Sequence, residues 1–163
     1  MPASIYFHYN LVMIYKLRPI LKHRLWGGNS LPKIFGLQTK DKIGEAWILS
    51  CIGQDNSPID NNSTLLDIFN KNPNIVAKGY HGSFPLLIKL IDAQDDLSIQ
   101  VHPQAKTEFW HILNEKPSHL FIGLKQDYDK NTIQDILNNG DITKTLNNIS
   151  VKNGDSYLIE PGT

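Results

Sequence analysis

A mainly β fold, a barrel or jelly-roll sandwich carrying a few short helices, is what this sequence predicts. Three observations point to it. Short apolar runs recur between clusters of Gly, Pro, Asn, Asp and Ser, the residues that punctuate strands. Helical spacing is confined to brief segments. An Asn153-Gly154 pair lies between two apolar runs, which is a strong hairpin signal.

At 163 residues the chain is long enough to bury a core as one domain. Its 16 basic and 16 acidic side chains cancel, which gives no support for a nucleic-acid groove or an anionic membrane surface. Cys51 is the sole cysteine, so no internal disulfide can form and a reducing compartment is the simpler setting. It follows an apolar run and reads as a buried, inert thiol. No segment is long and apolar enough to span a bilayer, and the first residues lack the basic flank and cleavage site of a secretory signal. A cytoplasmic protein is expected.

Residues 1–12 differ in character from the rest of the chain and read as an extension outside the fold, with an extra edge strand as the alternative. The domain is expected over residues 13–163. Residues 15–19 read as a short strand. Residues 22–34 carry Trp26-Gly27-Gly28 and Pro32 and read as a loop. Residues 46–51 form a strand candidate in which Glu45 and Trp47 share a face; Glu45 is either a solvated charge at the strand start or part of a pocket. Residues 53–62 are a polar loop. Ser63 and Thr64 are suitable N-caps for a helix over 65–70, which Pro73 stops. Residues 78–83 are a loop with an exposed His81. Residues 84–91 (FPLLIKLI) are almost continuously apolar, as expected of a strand covered on both faces. Lys89 interrupts that run, and such an amine must be paired or face a wet cavity. Strand character returns at 119–124. Helical spacing appears over 131–138 and 141–147 with Gly140 between them, and the chain closes with a hairpin turning at Asn153-Gly154.

Residues 97–110 (LSIQVHPQAKTEFW) are where metal-ligand residue types converge. As a strand, this stretch places Ser98, Gln100 and His102 on one face. If the run after Pro103 pairs back as a hairpin, the Glu108 carboxylate meets the His102 imidazole. A Gln oxygen, a His nitrogen and a Glu carboxylate suit a zinc-like ion with at least one open position. The plain alternative is a hairpin whose polar residues face solvent. In the second run Glu108 and Trp110 share a face, and His111 points away to be packed or hydrogen-bonded.

The strings Leu25-Trp26-Gly27-Gly28, Ile43-Gly44-Glu45-Ala46-Trp47, Phe84-Pro85-Leu86-Leu87-Ile88-Lys89, LSIQVHP at 97–103, Lys106-Thr107-Glu108-Phe109-Trp110 and GDSYLIEPGT at 154–163 occur in this order. Together they resemble the type I mannose-6-phosphate isomerases, zinc-dependent cupins, across nearly all of residues 14–163. The resemblance implies a cupin barrel, Zn(2+) held by Gln100, His102 and Glu108, and a sugar phosphate bound through Ser98 and Lys89. Glu45 matches the acidic position of the family's Gly-Glu-x-Trp motif, a substrate-side position without an assigned step. Lys106 falls where the family has a lysine two residues before its glutamate ligand, either as an acid–base group or as a plain cation for a hydroxyl or phosphate. The family's fourth ligand is a histidine in a Pro-Gly-Thr-Val-His pattern, and the sequence ends at Thr163; an arginine of the family's site also falls beyond it. The link between His102 and Glu108 is shorter than in the family. The implied reaction interconverts mannose 6-phosphate and fructose 6-phosphate through an enediol(ate). A metal-binding cupin that holds a sugar phosphate without turnover, or an inactive fragment, are the alternatives.

Overall fold

A computed structural model describes residues 14–163; the expected extension over 1–12 lies outside them. Strands outweigh helices, in agreement with the mainly β expectation. The chain forms two compact units, one ending at Leu97 and one beginning at Ser98.

In the first unit, β1 (Ile20–Gly28) pairs antiparallel with β2 (Ile43–Leu49), and β2 pairs antiparallel with β5 (Ile88–Ile91). Between them lie helix α1 (Ser30–Ile34), the small hairpin of β3 (Cys51–Ile52) and β4 (Asp55–Asn56), and helix α2 (Leu65–Lys71). Leu31 of α1 packs with Ile43 and Ala46 of β2, and Leu21, Phe35, Ile48 and Leu90 close over them. Helix α2 begins with a capping box: the Thr64 hydroxyl accepts from the Asp67 amide and the Asp67 carboxylate accepts from the Thr64 amide. Its buried Phe69 meets Phe84 edge-on, with ring centroids 5.5 Å apart.

Two expectations about this unit need correction. Residues 15–19 form no strand, and the strand begins at Ile20 and runs through Trp26-Gly27-Gly28, which the sequence presents as a loop. The glycines are there because neighbours come close: a Cβ on Gly27 would lie 2.5 Å from the backbone nitrogen of Gly44, and one on Gly28 would lie 2.5 Å from the side-chain carboxylate of Asp92. Gly44 is equally enclosed, since a Cβ there would lie 2.5 Å from the Trp26 ring and 2.6 Å from Arg24 Cβ. Residues 84–91 are likewise not a strand covered on both faces. Only Ile88–Ile91 pairs, at the edge of its sheet, with Ile88 and Ile91 about half exposed. Pro85 lacks an amide donor for a longer ladder.

In the second unit, β6 (Glu108–His111) pairs with β9 (Ser156–Ile159), and β7 (Ser118–Leu124) pairs with β8 (Leu146–Val151). Helix α3 (Lys130–Asn139) starts at the Asp129 cap and stops at Gly140, as the spacing predicts. The second helical segment shrinks to a 3-10 turn over Ile142–Thr145, because Leu146 and the residues after it are taken up by pairing with β7. The Asn153-Gly154 turn forms, with Gly154 at φ 91°, but it does not join paired strands: β8 and β9 belong to different sheets. Asn-Gly fixes the reversal, while partner choice is set by the side chains each strand has to bury.

Substituting Gly44→Ala forces a methyl group against Trp26 and Arg24. It should cost about 1–3 kcal/mol of stability, the usual range for overpacking. Urea unfolding measures this, and an unchanged midpoint would show that the close approach of β1 and β2 is not needed.

Candidate functional site

Each unit holds a cluster of charged side chains. In the first, the center is Glu45, buried at 7% exposure. Its alternation with Trp47 puts both side chains on one face of β2, as predicted, and the Trp47 indole donates to Glu45 Oε2 at 3.4 Å. Register places Lys89 opposite Trp47 and thus diagonal to Glu45, and the ammonium donates to Oε1 at 3.1 Å. Lys22 sits directly opposite Glu45, yet it pairs with Asp55 and lies over the Trp47 ring, 5.0 Å from the centroid. Arg24 reaches Oε2 instead, at 2.6 Å. Its stem runs across Gly44, where a side chain would block it. Glu45 is therefore a shared, buried anion and not a solvated charge at a strand start. Burial pushes its carboxyl up, but the Lys89 hydrogen bond and charge, the Arg24 charge and the Trp47 hydrogen bond outweigh it and hold the carboxyl below its ordinary range.

The second unit opens at Ser98, and residues 97–102 are not a strand. A strand exists where a second backbone meets its amides and carbonyls. In this stretch His102 has such a partner: its amide donates to the Thr163 carbonyl at 2.7 Å, and its carbonyl accepts from the Gly162 amide at 3.0 Å. Nor does β6 fold back on residues 97–102 as a hairpin; its partner is β9. The two side chains still approach, with His102 Nδ1 lying 3.9 Å from Glu108 Oε2, too long for a hydrogen bond. Glu108 Oε1 is ion-paired with the Lys106 ammonium, and Oε2 accepts from the Trp110 indole at 2.9 Å. Trp110 thus shares the Glu108 face. His111 points away, with Nδ1 2.8 Å from Ser156 Oγ, in line with its expected hydrogen-bonded role. Ser98 and Gln100 are both exposed on the irregular stretch before His102.

One atom in this cluster lacks a partner: His102 Nε2 is buried with no hydrogen bond. Buried polar atoms are nearly always satisfied, so the orphaned nitrogen is an available donor position. An imidazole with one nitrogen unengaged and the other 3.9 Å from a carboxylate offers residue types that suit a zinc-like ion. Among the described residues, no three His, Cys, Asp or Glu side chains converge as a metal-holding group, so a metal here needs an amide oxygen or a further ligand. Elsewhere, burial pushes the half-buried Cys51 thiol up, in keeping with an inert role.

Sequence reasoning missed Arg24. The available signal was alternation of Lys22, Arg24 and Trp26 with period two, hidden because Trp-Gly-Gly presents that segment as a loop.

Residues 14–121 match the family described as phosphomannose isomerase type I, catalytic domain. The probable mannose-6-phosphate isomerase GmuF of Bacillus subtilis is 33% identical over 90% of this chain and 52% of its own length. The mannose-6-phosphate isomerase of Streptococcus mutans is 28% identical, with 90% of this chain and 52% of the relative covered. The crystal structure of the mannose 6-phosphate isomerase from Bacillus subtilis superposes with a TM-score of 0.72 at 30% identity, covering 89% of this chain and 52% of that one. The chain thus spans about half the length of the relatives it matches.

The Glu45 carboxyl has a folded pKa below its unfolded value. Its contribution to stability is full above about pH 4.3, the ordinary glutamate value, and is lost as pH falls through the lowered folded value. At neutral pH, Glu45→Gln should lower stability by about 1–3 kcal/mol, the penalty for stranding charged hydrogen-bond partners. Urea titrations from pH 7 down to pH 3 should show the gap between wild type and variant narrowing on the acid side; a constant gap would contradict the assignment.

Proposed function

The chain belongs to the type I phosphomannose isomerase family, and from that membership we propose that its activity is a zinc-dependent interconversion of mannose 6-phosphate and fructose 6-phosphate through an enediol(ate). The observation that carries this reading is the buried, unpartnered Nε2 of His102, the histidine of the LSIQVHP string, whose other ring nitrogen, Nδ1, lies 3.9 Å from Glu108 Oε2. His102, Glu108 and Gln100 would hold the ion. In the family pattern a histidine follows Pro-Gly-Thr, and the bonds of His102 to Gly162 and Thr163 bring that turn alongside His102, which supports such a ligand. When bound, zinc supplies Lewis acidity that polarises the sugar oxygens and stabilises the negative charge developing in the transition state.

The chain's own residues would do the rest. Lys89 binds the phosphate by charge-assisted hydrogen bonds, with donors beyond the one that Glu45 occupies. Ser98 contributes an exposed hydroxyl to the same substrate class. Glu45 holds Lys89 in place. Lys106 is the candidate for moving a proton between C1 and C2. It now pairs with Glu108, so serving as a base requires that it leave that carboxylate and lose its proton. The same pairing favors a second reading, a metal-binding protein that retains a sugar phosphate without turnover. A cytoplasmic setting agrees with the single cysteine; no helix among the described residues is long and apolar enough to cross a membrane.

The test is incubation of the zinc-loaded protein with mannose 6-phosphate in heavy water, followed by NMR. Fructose 6-phosphate should appear, with any exchange with solvent read as deuterium at C1 or C2, and Lys106→Ala should slow the reaction by about a hundredfold or more. Binding without any aldose–ketose conversion would overturn the isomerase reading in favor of the second. His102→Ala should leave less than one zinc per chain by metal analysis, and full occupancy in that variant would refute the ligand assignment.

A further inference from the structure

Glu45 has more cationic partners than one carboxylate can neutralise. Its Oε2 receives Arg24 at 2.6 Å and Trp47 at 3.4 Å, and its Oε1 receives Lys89 at 3.1 Å. Lys22, the other cation on this sheet face, is matched by Asp55. The Arg24–Glu45–Lys89 group therefore carries one uncompensated positive charge. Lys89 and Arg24 remain partly exposed, at 25% and 38% of their side chains, while the carboxylate they share is 9% exposed. Without Arg24, buried Glu45 would have Lys89 as its one cation in this group and would hold it as a neutral, closed pair.

We propose that Arg24 is a positioning residue for anion binding: by occupying Oε2 of Glu45 it keeps Lys89 from being neutralised and leaves that ammonium to a phosphorylated ligand. This rests on the reading of Lys89 as the phosphate-binding group. Arg24 acts through Glu45 and not by touching the phosphate. The sequence prepares the arrangement, since Gly44 leaves open the lane along which the Arg24 stem reaches Oε2. Arginine suits the task because its charge persists at any working pH and its donors lie in a fixed plane.

The experiment titrates the protein with inorganic phosphate and with mannose 6-phosphate. The Trp47 indole NMR resonance is the readout, because that group is bonded to the same carboxylate. Arg24→Gln should weaken phosphate binding by about tenfold, and Arg24→Lys should retain most of it. The deciding variant is the double substitution Arg24→Gln with Glu45→Gln. Removing the captor as well as its second partner should recover part of the phosphate affinity that Arg24→Gln loses, short of the wild-type value because Glu45 also holds Lys89 in place. Failure of the double variant to recover, with its fold intact by circular dichroism, would overturn the proposal and show that Arg24 contacts the anion or only supports the fold. Lys89→Met separates the positioning role from the phosphate role. If it abolishes binding while Arg24→Gln does not weaken it, the positioning role fails and the phosphate role of Lys89 stands. If it leaves binding unchanged, or the wild type binds neither probe, both fail.

Discussion

A buried carboxylate cannot remain charged without partners, and in this protein that requirement organises the first unit. Glu45 sits in the middle strand of its sheet, and the strands on either side each supply it with a cation: Arg24 from β1 and Lys89 from β5. The surrounding glycines follow from the same demand. Gly27 and Gly44 allow two backbones to close to a distance that no side chain tolerates, and the room above Gly44 is filled by the Arg24 stem and the Trp26 ring. The Trp-Gly-Gly and Gly-Glu-Ala-Trp strings are thus two halves of one piece of packing. Breaking a charge network of this kind is costly because it strands the remaining charges, so specificity of arrangement comes with a group that is expensive to bury.

The second unit presents the complementary case. There the carboxylate is satisfied and the imidazole is not. Glu108 is engaged by Lys106 and Trp110, whereas His102 keeps a buried nitrogen with no partner. The local backbone accounts for the placement: His102 is anchored through its amide and carbonyl to Gly162 and Thr163, and Glu108 opens β6. The proposed metal role draws on this arrangement, with one imidazole nitrogen unsatisfied and the other 3.9 Å from the Glu108 carboxylate.

Much of this was legible in the sequence, and the reasons differ by residue. The capped helix at Leu65, the helix ended by Gly140, the shared face of Glu45 and Trp47 and the need of Lys89 for a partner or a wet cavity follow from local chemistry, which a short window contains. Strand partners do not follow from it. The stretch holding Ser98, Gln100 and His102 has the alternation of a strand, but alternation cannot say whether another backbone lies beside it. The Asn153-Gly154 turn has the chemistry of a hairpin, but the strands that it separates find partners far away in sequence. Arg24 was hidden for the same reason. Its importance depends on which strand β1 lies against, and the glycines that permit that contact look like loop residues when read alone. The approach of His102 to Glu108 was anticipated on a wrong route, a hairpin, and is achieved by a different one.

The site of the first unit stands or falls with Glu45 being an ionised carboxylate held between two cations. Its titration can be followed directly by carbon-13 NMR of the side-chain carboxyl in selectively labelled protein. A midpoint clearly below about 4.3, the ordinary glutamate value, is the result this arrangement predicts. A midpoint above that value would mean that burial prevails over Arg24 and Lys89, and that the shared-anion description of the site is wrong.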